Sequence, residues 1–235
     1  MALPKISHPL FDVSIPSLEK TVKCRPFLVK EEKVLLMAQT SGDVKEIILA
    51  IKQVVNNCIQ DEIDIDSLTT FDLEYLFIKL RAKSVNNIIT VSYRDPEDEE
   101  TYDIEVDLDE VKVQMDPKHT RKIEIDKHSG IMLKYPSTDV MSAISPDSNE
   151  TEMFFSILKF CVETIYDADK VYKVSDYSSE EVDEYIQSLD VKTLQKIQEF
   201  FTTMPKIHHT VEYKNKEGIV KKLELNNIND FFTLG

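Results

Sequence analysis

Glycine and cysteine are scarce in this chain, with 4 of the first and 3 of the second in 235 residues. So few glycines leave little material for a phosphate-cradling loop, and neither a P-loop nor GxGxxG occurs. Cys24, Cys58 and Cys161 lie far apart without CxxC spacing, which removes a zinc knuckle and a redox dithiol. Cys58 and Cys161 fall on apolar helix faces and read as reduced core residues, as in a reducing cytoplasm. GxSxG and HExxH are absent as well. No apolar run approaches the roughly 20 residues needed to span a bilayer. The opening MALPKISHPLFDV has no basic region followed by a continuous apolar stretch. The chain is therefore expected to fold in the compartment where it is made.

Basic charge is also in deficit: Lys and Arg total 28 against 43 Asp and Glu, a formal net charge of -15. Nucleic-acid binding draws its affinity from Lys and Arg neutralising phosphates, so this balance argues against it. Anionic membrane surfaces are disfavoured for the same reason. What is present is an ordinary globular composition, 42% hydrophobic and 30% charged, in a length that fits one large domain or two small ones.

Residues 11–24 read as a strand pair turning at Pro16-Ser17, and a helix follows in KEEKVLLMA. After Ser41-Gly42-Asp43, Ile47, Ile51, Val55 and Cys58 recur at helical spacing. A third helix, with Thr70 as its expected N-cap, is apolar around most of its circumference and should be the buried centre of the first half. The period then changes to two: Ile89, Val91 and Tyr93, then Tyr102, Ile104, Val106 and Leu108, predict a hairpin with one buried face. A second hairpin is predicted at 121–135, turning at Ser129-Gly130. Helices are predicted at 151–166, at 179–189 behind a Ser178/Glu181 capping box, and from an Asp190 cap to Pro205. A last hairpin uses Val211, Tyr213, Leu223 and Leu225. The expected class is α+β, helical bundles carrying projecting antiparallel hairpins. Ser145-Pro146-Asp147-Ser148-Asn149 is the best linker, dividing an N-terminal α+β domain (1–145) from a helical domain (146–235) that ends in a basic hairpin.

The two halves share a faint likeness. Thr90-Val91-Ser92-Tyr93-Arg94 parallels Thr210-Val211-Glu212-Tyr213-Lys214, and Ile104-Glu105-Val106 parallels Leu223-Glu224-Leu225. A duplicated helix-plus-hairpin unit explains this, and so does the alternation common to any two amphipathic hairpins.

The strongest local signal is DPEDEETYDIEVDLDE, residues 95–110, in which ten of sixteen residues are acidic and none is basic. A calcium loop needs spaced ligands and a Gly at the sharp turn, which this strand-like segment lacks. Two readings remain: a solvated hairpin face that blunts a sheet edge, or a surface that docks a basic partner. The last hairpin is of opposite sign, with Lys206, Lys214, Lys216, Lys221 and Lys222 outnumbering Glu212 and Glu217 through residue 222. The candidate partner-binding residues are Glu97, Asp98, Glu99 and Glu100 on one hairpin and Lys214, Lys216, Lys221 and Lys222 on the other. The surface they recognise could belong to another copy of the chain. His208-His209 is a weak metal signal, because neighbours in a strand point to opposite faces. His8, His119 and His128 read as surface residues. Arg25 and Arg81 sit at element boundaries, where a nearby carboxylate and a helix end are the plain explanations.

Several blocks together resemble the T4-type bacteriophage baseplate protein family: Leu3-Pro4-Lys5-Ile6, CRPFLVKEEKVLLMA (24–38), FDLEYLFIKLRAKSVN (71–86), KYPS (134–137), FFTTMPKIHHTVEYKN (200–215) and the closing NDFF (229–232). The resemblance covers most of the chain, and each block is a packing pattern rather than a catalytic signature. It implies a non-enzymatic tail protein acting in assembly of the baseplate central hub, as hub subunit or assembly chaperone. Other hub or tape-measure proteins are the implied partners, and the host cytoplasm or the virion tail the implied place. Some sequences of this kind resemble zinc ribbons, with CxxC pairs on the hairpin turns. Here residues 94–100 and 214–218 contain no cysteine, so no metal or other cofactor is implied.

Overall fold

The computed structural model describes residues 6–41, 43–140 and 149–231. In chain order the elements are β1 (Phe11–Ile15), β2 (Lys20–Cys24), α1 (Val29–Ser41), α2 (Val44–Cys58), α3 (Thr70–Ser84), β3 (Ile88–Arg94), β4 (Thr101–Asp107) and β5 (Lys112–Gln114). They continue with β6 (Lys122–Glu124), β7 (Gly130–Leu133), α4 (Glu150–Cys161), β8 (Val162–Tyr166), β9 (Val171–Lys173), α5 (Ser179–Gln187), α6 (Val191–Thr203), β10 (Lys206–Lys214), β11 (Val220–Leu225) and α7 (Ile228–Phe231). The class is α+β, and every strand pairing is antiparallel.

The chain forms two compact units, one from the residues up to Gln114 together with Lys206 onward, the other from Met115 to Pro205. This differs from the division expected at 145/146, whose linker residues 145–148 lie outside the described residues, as do Gly42, Leu3, Pro4, Lys5 and Phe232. The physical reason is strand pairing across a long sequence separation. β10 meets β5 in the register Lys206↔Gln114, Ile207↔Val113 and His208↔Lys112, which returns the last hairpin to the first unit.

In the first unit α3 is central, as its all-round apolar pattern predicts: Phe71, Leu73, Leu76, Phe77, Ile78 and Leu80 are buried. Around it pack Ile15 and Val22 of the first hairpin, Leu35 of α1, Val54 and Val55 of α2, and Val106 of β4. The N-cap is Thr69 rather than Thr70, because Asp72 then stands three residues on and completes a capping box. Asp72 is fully buried, and it also accepts hydrogen bonds from the Ser17 backbone (2.9 Å) and hydroxyl, which tie the first turn to the start of α3. Arg25 holds the buried Glu31 with two guanidinium contacts, at 2.8 and 3.3 Å, while the Leu28 N–H donates to the same carboxylate at 2.9 Å. Burial acts to raise the Glu31 pKa, but Arg25, the Leu28 N–H and Lys30 outweigh it and leave the group lowered. Cys24, Cys58 and Cys161 are free and buried, and burial pushes their thiols up to about 12, 11 and 12.

The second unit packs the sheet β6-β7-β8-β9 against its helices through Ile131, Leu133, Leu158, Val162, Ile186, Ile197 and Phe200. The helix predicted at 151–166 stops at Cys161, and Val162–Tyr166 is the strand β8 between β7 and β9. Val162, Thr164 and Ile165 are β-branched and suit a strand once neighbours flank it on both sides. The turn expected at Ser129-Gly130 lies earlier, at 126–129, where Asp126 accepts from the His128 (2.7 Å) and Ser129 (2.9 Å) N–H groups. Gly130 belongs to β7, and its lack of a side chain has a steric cause. A Cβ there would lie 2.3 Å from the Tyr166 hydroxyl and 2.5 Å from the Ile123 carbonyl oxygen. His119, expected at the surface, is half-buried instead: its ring stacks on Tyr135 at 5.6 Å and meets Phe200 at 5.2 Å.

Two outcomes follow from this packing. Gly130→Ala is expected to cost about 1–3 kcal/mol by overpacking, measured by denaturant unfolding. Glu74 of α3 is half-buried against α7; burial, opposed by the Ile228 N–H and reinforced by Asp230, raises its carboxyl from 4.5 to about 7. A raised carboxyl binds its proton more tightly in the folded state, so stability falls as pH climbs from about 4.5 to 7. Glu74→Gln should flatten that slope in melting curves taken across the window.

Candidate functional site

Both hairpins of opposite charge lie in the first unit, and their tips are bonded to each other. The acidic tip joins β3 to β4, with Tyr93 directly opposite Tyr102. Asp95 shapes it: its N–H donates to the Glu100 carbonyl at 2.9 Å, and its carboxylate accepts from the Glu97 N–H at 2.9 Å. Glu99 takes the left-handed conformation at φ 59°, which lets the loop close. The basic tip, between β10 and β11, repeats the device. Asn215 accepts from the N–H groups of Glu217 (3.1 Å) and Ile219 (2.8 Å), and Gly218 supplies the positive φ of 79°.

Between the tips sits the buried Asp95 carboxylate. It accepts from the Tyr213 hydroxyl at 2.7 Å and from the Lys221 ammonium at 2.8 Å. Lys221 also reaches Glu97 at 2.8 Å. The Tyr102 hydroxyl donates to Asp98 at 2.6 Å and accepts from the Lys216 N–H at 2.8 Å. The Tyr213 ring lies 5.7 Å from Tyr93 and 5.1 Å from Tyr102, so an aromatic cluster backs the polar contacts. Hydrogen bonds from Lys221, the Glu97 N–H and Tyr213 hold the Asp95 carboxyl down at about 2. Burial and the neighbouring carboxylate push the Tyr213 phenol up to about 12. Asp95 and Glu97 hold Lys221 well above the usual ammonium range.

The structure thus brings together Glu97, Asp98, Glu100, Lys216 and Lys221 of the eight candidate residues. Lys216 stands 3.6 Å from Glu100. The others are placed apart from this junction: Glu99 lies 3.9 Å from Arg94, Lys222 lies 3.9 Å from Glu212, and Lys214 is exposed. The residues that charge counting missed are Asp95, Asn215 and the three tyrosines. A signal for them was present, since Tyr93 and Tyr213 hold equal places in the two similar segments 90–94 and 210–214, and Asp95 and Asn215 each follow by two residues. The likeness of the hairpins therefore extends to their turns. It does not extend to a shared packing unit, because α6, the helix before β10, belongs to the second unit. His208 and His209 diverge as strand neighbours must, and His208 bonds to Asn226 at 2.8 Å. Among the described residues no three His, Cys, Asp or Glu side chains converge as metal ligands, and no helix is long and apolar enough to cross a membrane.

The signs of these shifts fix a pH window for the junction. The lowered Asp95 stabilises the fold above its ordinary 3.8, and that contribution is lost as pH falls toward about 2. The raised Lys221 contributes fully below 10.5, and its share is lost as pH rises beyond that. Asp95→Asn is expected to lower the melting temperature at pH 7 and to remove the acid-sensitive part between pH 4 and 2, read by thermal melts together with the Tyr213 resonances.

The model of one protein family, described as T4 bacteriophage base plate protein, matches residues 8–233. No curated protein and no solved structure matches the chain. The match runs through both units and takes in both hairpin tips, and on that extent the chain belongs to the T4 bacteriophage base plate protein family.

Proposed function

We propose that this chain acts without catalysis in assembly of the baseplate central hub, as a hub subunit or as an assembly chaperone. Other hub or tape-measure proteins are its partners in that role. The carrying observation is that the hairpin junction consumes only part of the acidic charge. Asp103 and Glu105 stay exposed on the outward face of β4, and Glu99 is 80% exposed at the tip. An acidic face of this kind steers and orients a basic partner surface. Lys216 and Lys221 are paired internally, whereas the outward acidic face of β4 keeps its charge for another molecule.

Glu99→Lys with Glu105→Lys tests this without replacing any side chain of the Asp95 junction. The double variant should recover less hub protein than the wild type in pull-downs from infected cells, with the gap narrowing as salt rises. Equal recovery at every salt concentration would overturn the docking role. Mass spectrometry of purified particles then separates the two modes: a subunit is present in the particle, in the virion tail, whereas a chaperone is absent from it and acts in the host cytoplasm.

A further inference from the structure

The second unit contains a cleft that the hairpin junction does not account for. It has a volume of about 720 Å³, within the range of binding clefts, and lies between one face of the β6–β9 sheet and α5. Ile125, Ile165 and Tyr172 line it from the sheet side, and Val182, Tyr185 and Leu189 from α5 and its end. Val182 is buried, but the other five are only half-buried, so this apolar wall is incompletely covered by the chain itself. Tyr177, 40% exposed, stands at the mouth, with its ring 6.3 Å from that of Tyr172.

The charge around the cleft is predominantly acidic. Residues 163–190 hold nine acidic side chains against Lys170 and Lys173, and Asp167, Glu181 and Asp190 belong to the cleft wall. Among the described residues none of these three forms a direct ion pair; each is held by hydrogen bonds, while Lys170 near Asp167 and Lys192 and Lys196 near Asp190 offset part of the charge. Asp167 accepts from the Asp169 N–H at 2.9 Å and the Tyr172 hydroxyl at 2.7 Å, Glu181 from the Ser178 N–H at 2.8 Å, and Asp190 from the Thr193 N–H at 2.7 Å. Tyrosine rings here already accept cations, with Lys170 4.9 Å above Tyr172 and Lys122 5.5 Å above Tyr166. Among the described residues no cation lies over Tyr177 or Tyr185, and no hydrogen bond engages the Tyr185 hydroxyl. Among the described residues β9 pairs with β8 alone, so it is an edge strand that can take a further extended backbone.

From these features we infer that the cleft docks an extended segment of a partner protein, one that places an aliphatic or aromatic side chain among Tyr172, Tyr177 and Tyr185 and lysine or arginine against the acidic wall. The apolar wall takes the anchor and the carboxylates choose the flanking charge, so neither feature alone would specify the ligand. The surface is separate from the hairpin tips and does not depend on their role in hub assembly.

The test uses the full chain labelled with fluorotyrosine, titrated with a synthetic peptide that alternates lysine and leucine. Two control peptides replace every lysine by glutamate or every leucine by serine. The lysine–leucine peptide should shift the Tyr177 and Tyr185 resonances and bind at least about ten-fold more tightly than either control. Tyr177→Ala, at an exposed ring, and Glu181→Gln, which keeps the capping box but removes its charge, should each weaken binding about three- to ten-fold, the size of one cation–π or ion-pair contact. Glu99→Lys with Glu105→Lys should leave this binding unchanged. Equal binding of the lysine–serine peptide would reduce the effect to general charge attraction and overturn the inference. Equal binding of the glutamate–leucine peptide would overturn it too, as would binding that leaves Tyr177 and Tyr185 unmoved.

Discussion

A carboxylate buried without its charge being met is one of the costliest groups a fold can contain, and Asp95 is 1% exposed. Everything at the hairpin tips is arranged around that constraint. The Glu97 N–H answers it from within its own turn, and Tyr213 and Lys221 answer it from a hairpin more than a hundred residues later. Pairing with Lys221 ties the last hairpin to the acidic one, just as β10 pairing with β5 returns it to the same unit. The site is thus a product of long-range closure, and the chain between Gln114 and Lys206 is free to form a separate unit.

That closure changes what the opposite charges of the two hairpins mean. In the sequence they read as two surfaces awaiting partners. In the structure Lys216 and Lys221 serve the acidic tip, and the outward face of β4 keeps the excess negative charge. Family membership places the chain among baseplate proteins, where association with other components is the expected work, and an acidic outer face is a suitable means for it. The second unit adds a different kind of surface, apolar and tyrosine-lined, whose floor depends on Gly130 admitting Tyr166 at close range.

Much of this could be read from residue order. The all-round apolar pattern of α3, the alternation in β3, β4, β10 and β11, and the Ser178/Glu181 capping box are local signals with local causes, and they appear where expected. The acidic stretch from 95 to 110 was plain for the same reason. Less legible were β8, read as the end of a helix, and the short strands β5 and β9, whose three residues each carry too little pattern to stand out. A strand in the middle of a sheet is stabilised by its neighbours, and Val162–Tyr166 finds those neighbours in β7 and β9 only after the chain has folded.

By itself, then, the sequence determined the class, most of the helices, the two charged hairpins and the absence of familiar catalytic motifs, because each depends on periodicity or composition within a few turns of chain. Tertiary structure alone decided that the two hairpins belong together, that Asp95 rather than the more numerous exposed acids is the keystone, and that β8 is a strand. The reason is the same in each case. Burial and pairing between residues distant in sequence set the energy of these groups, and no local pattern records which distant residue will arrive.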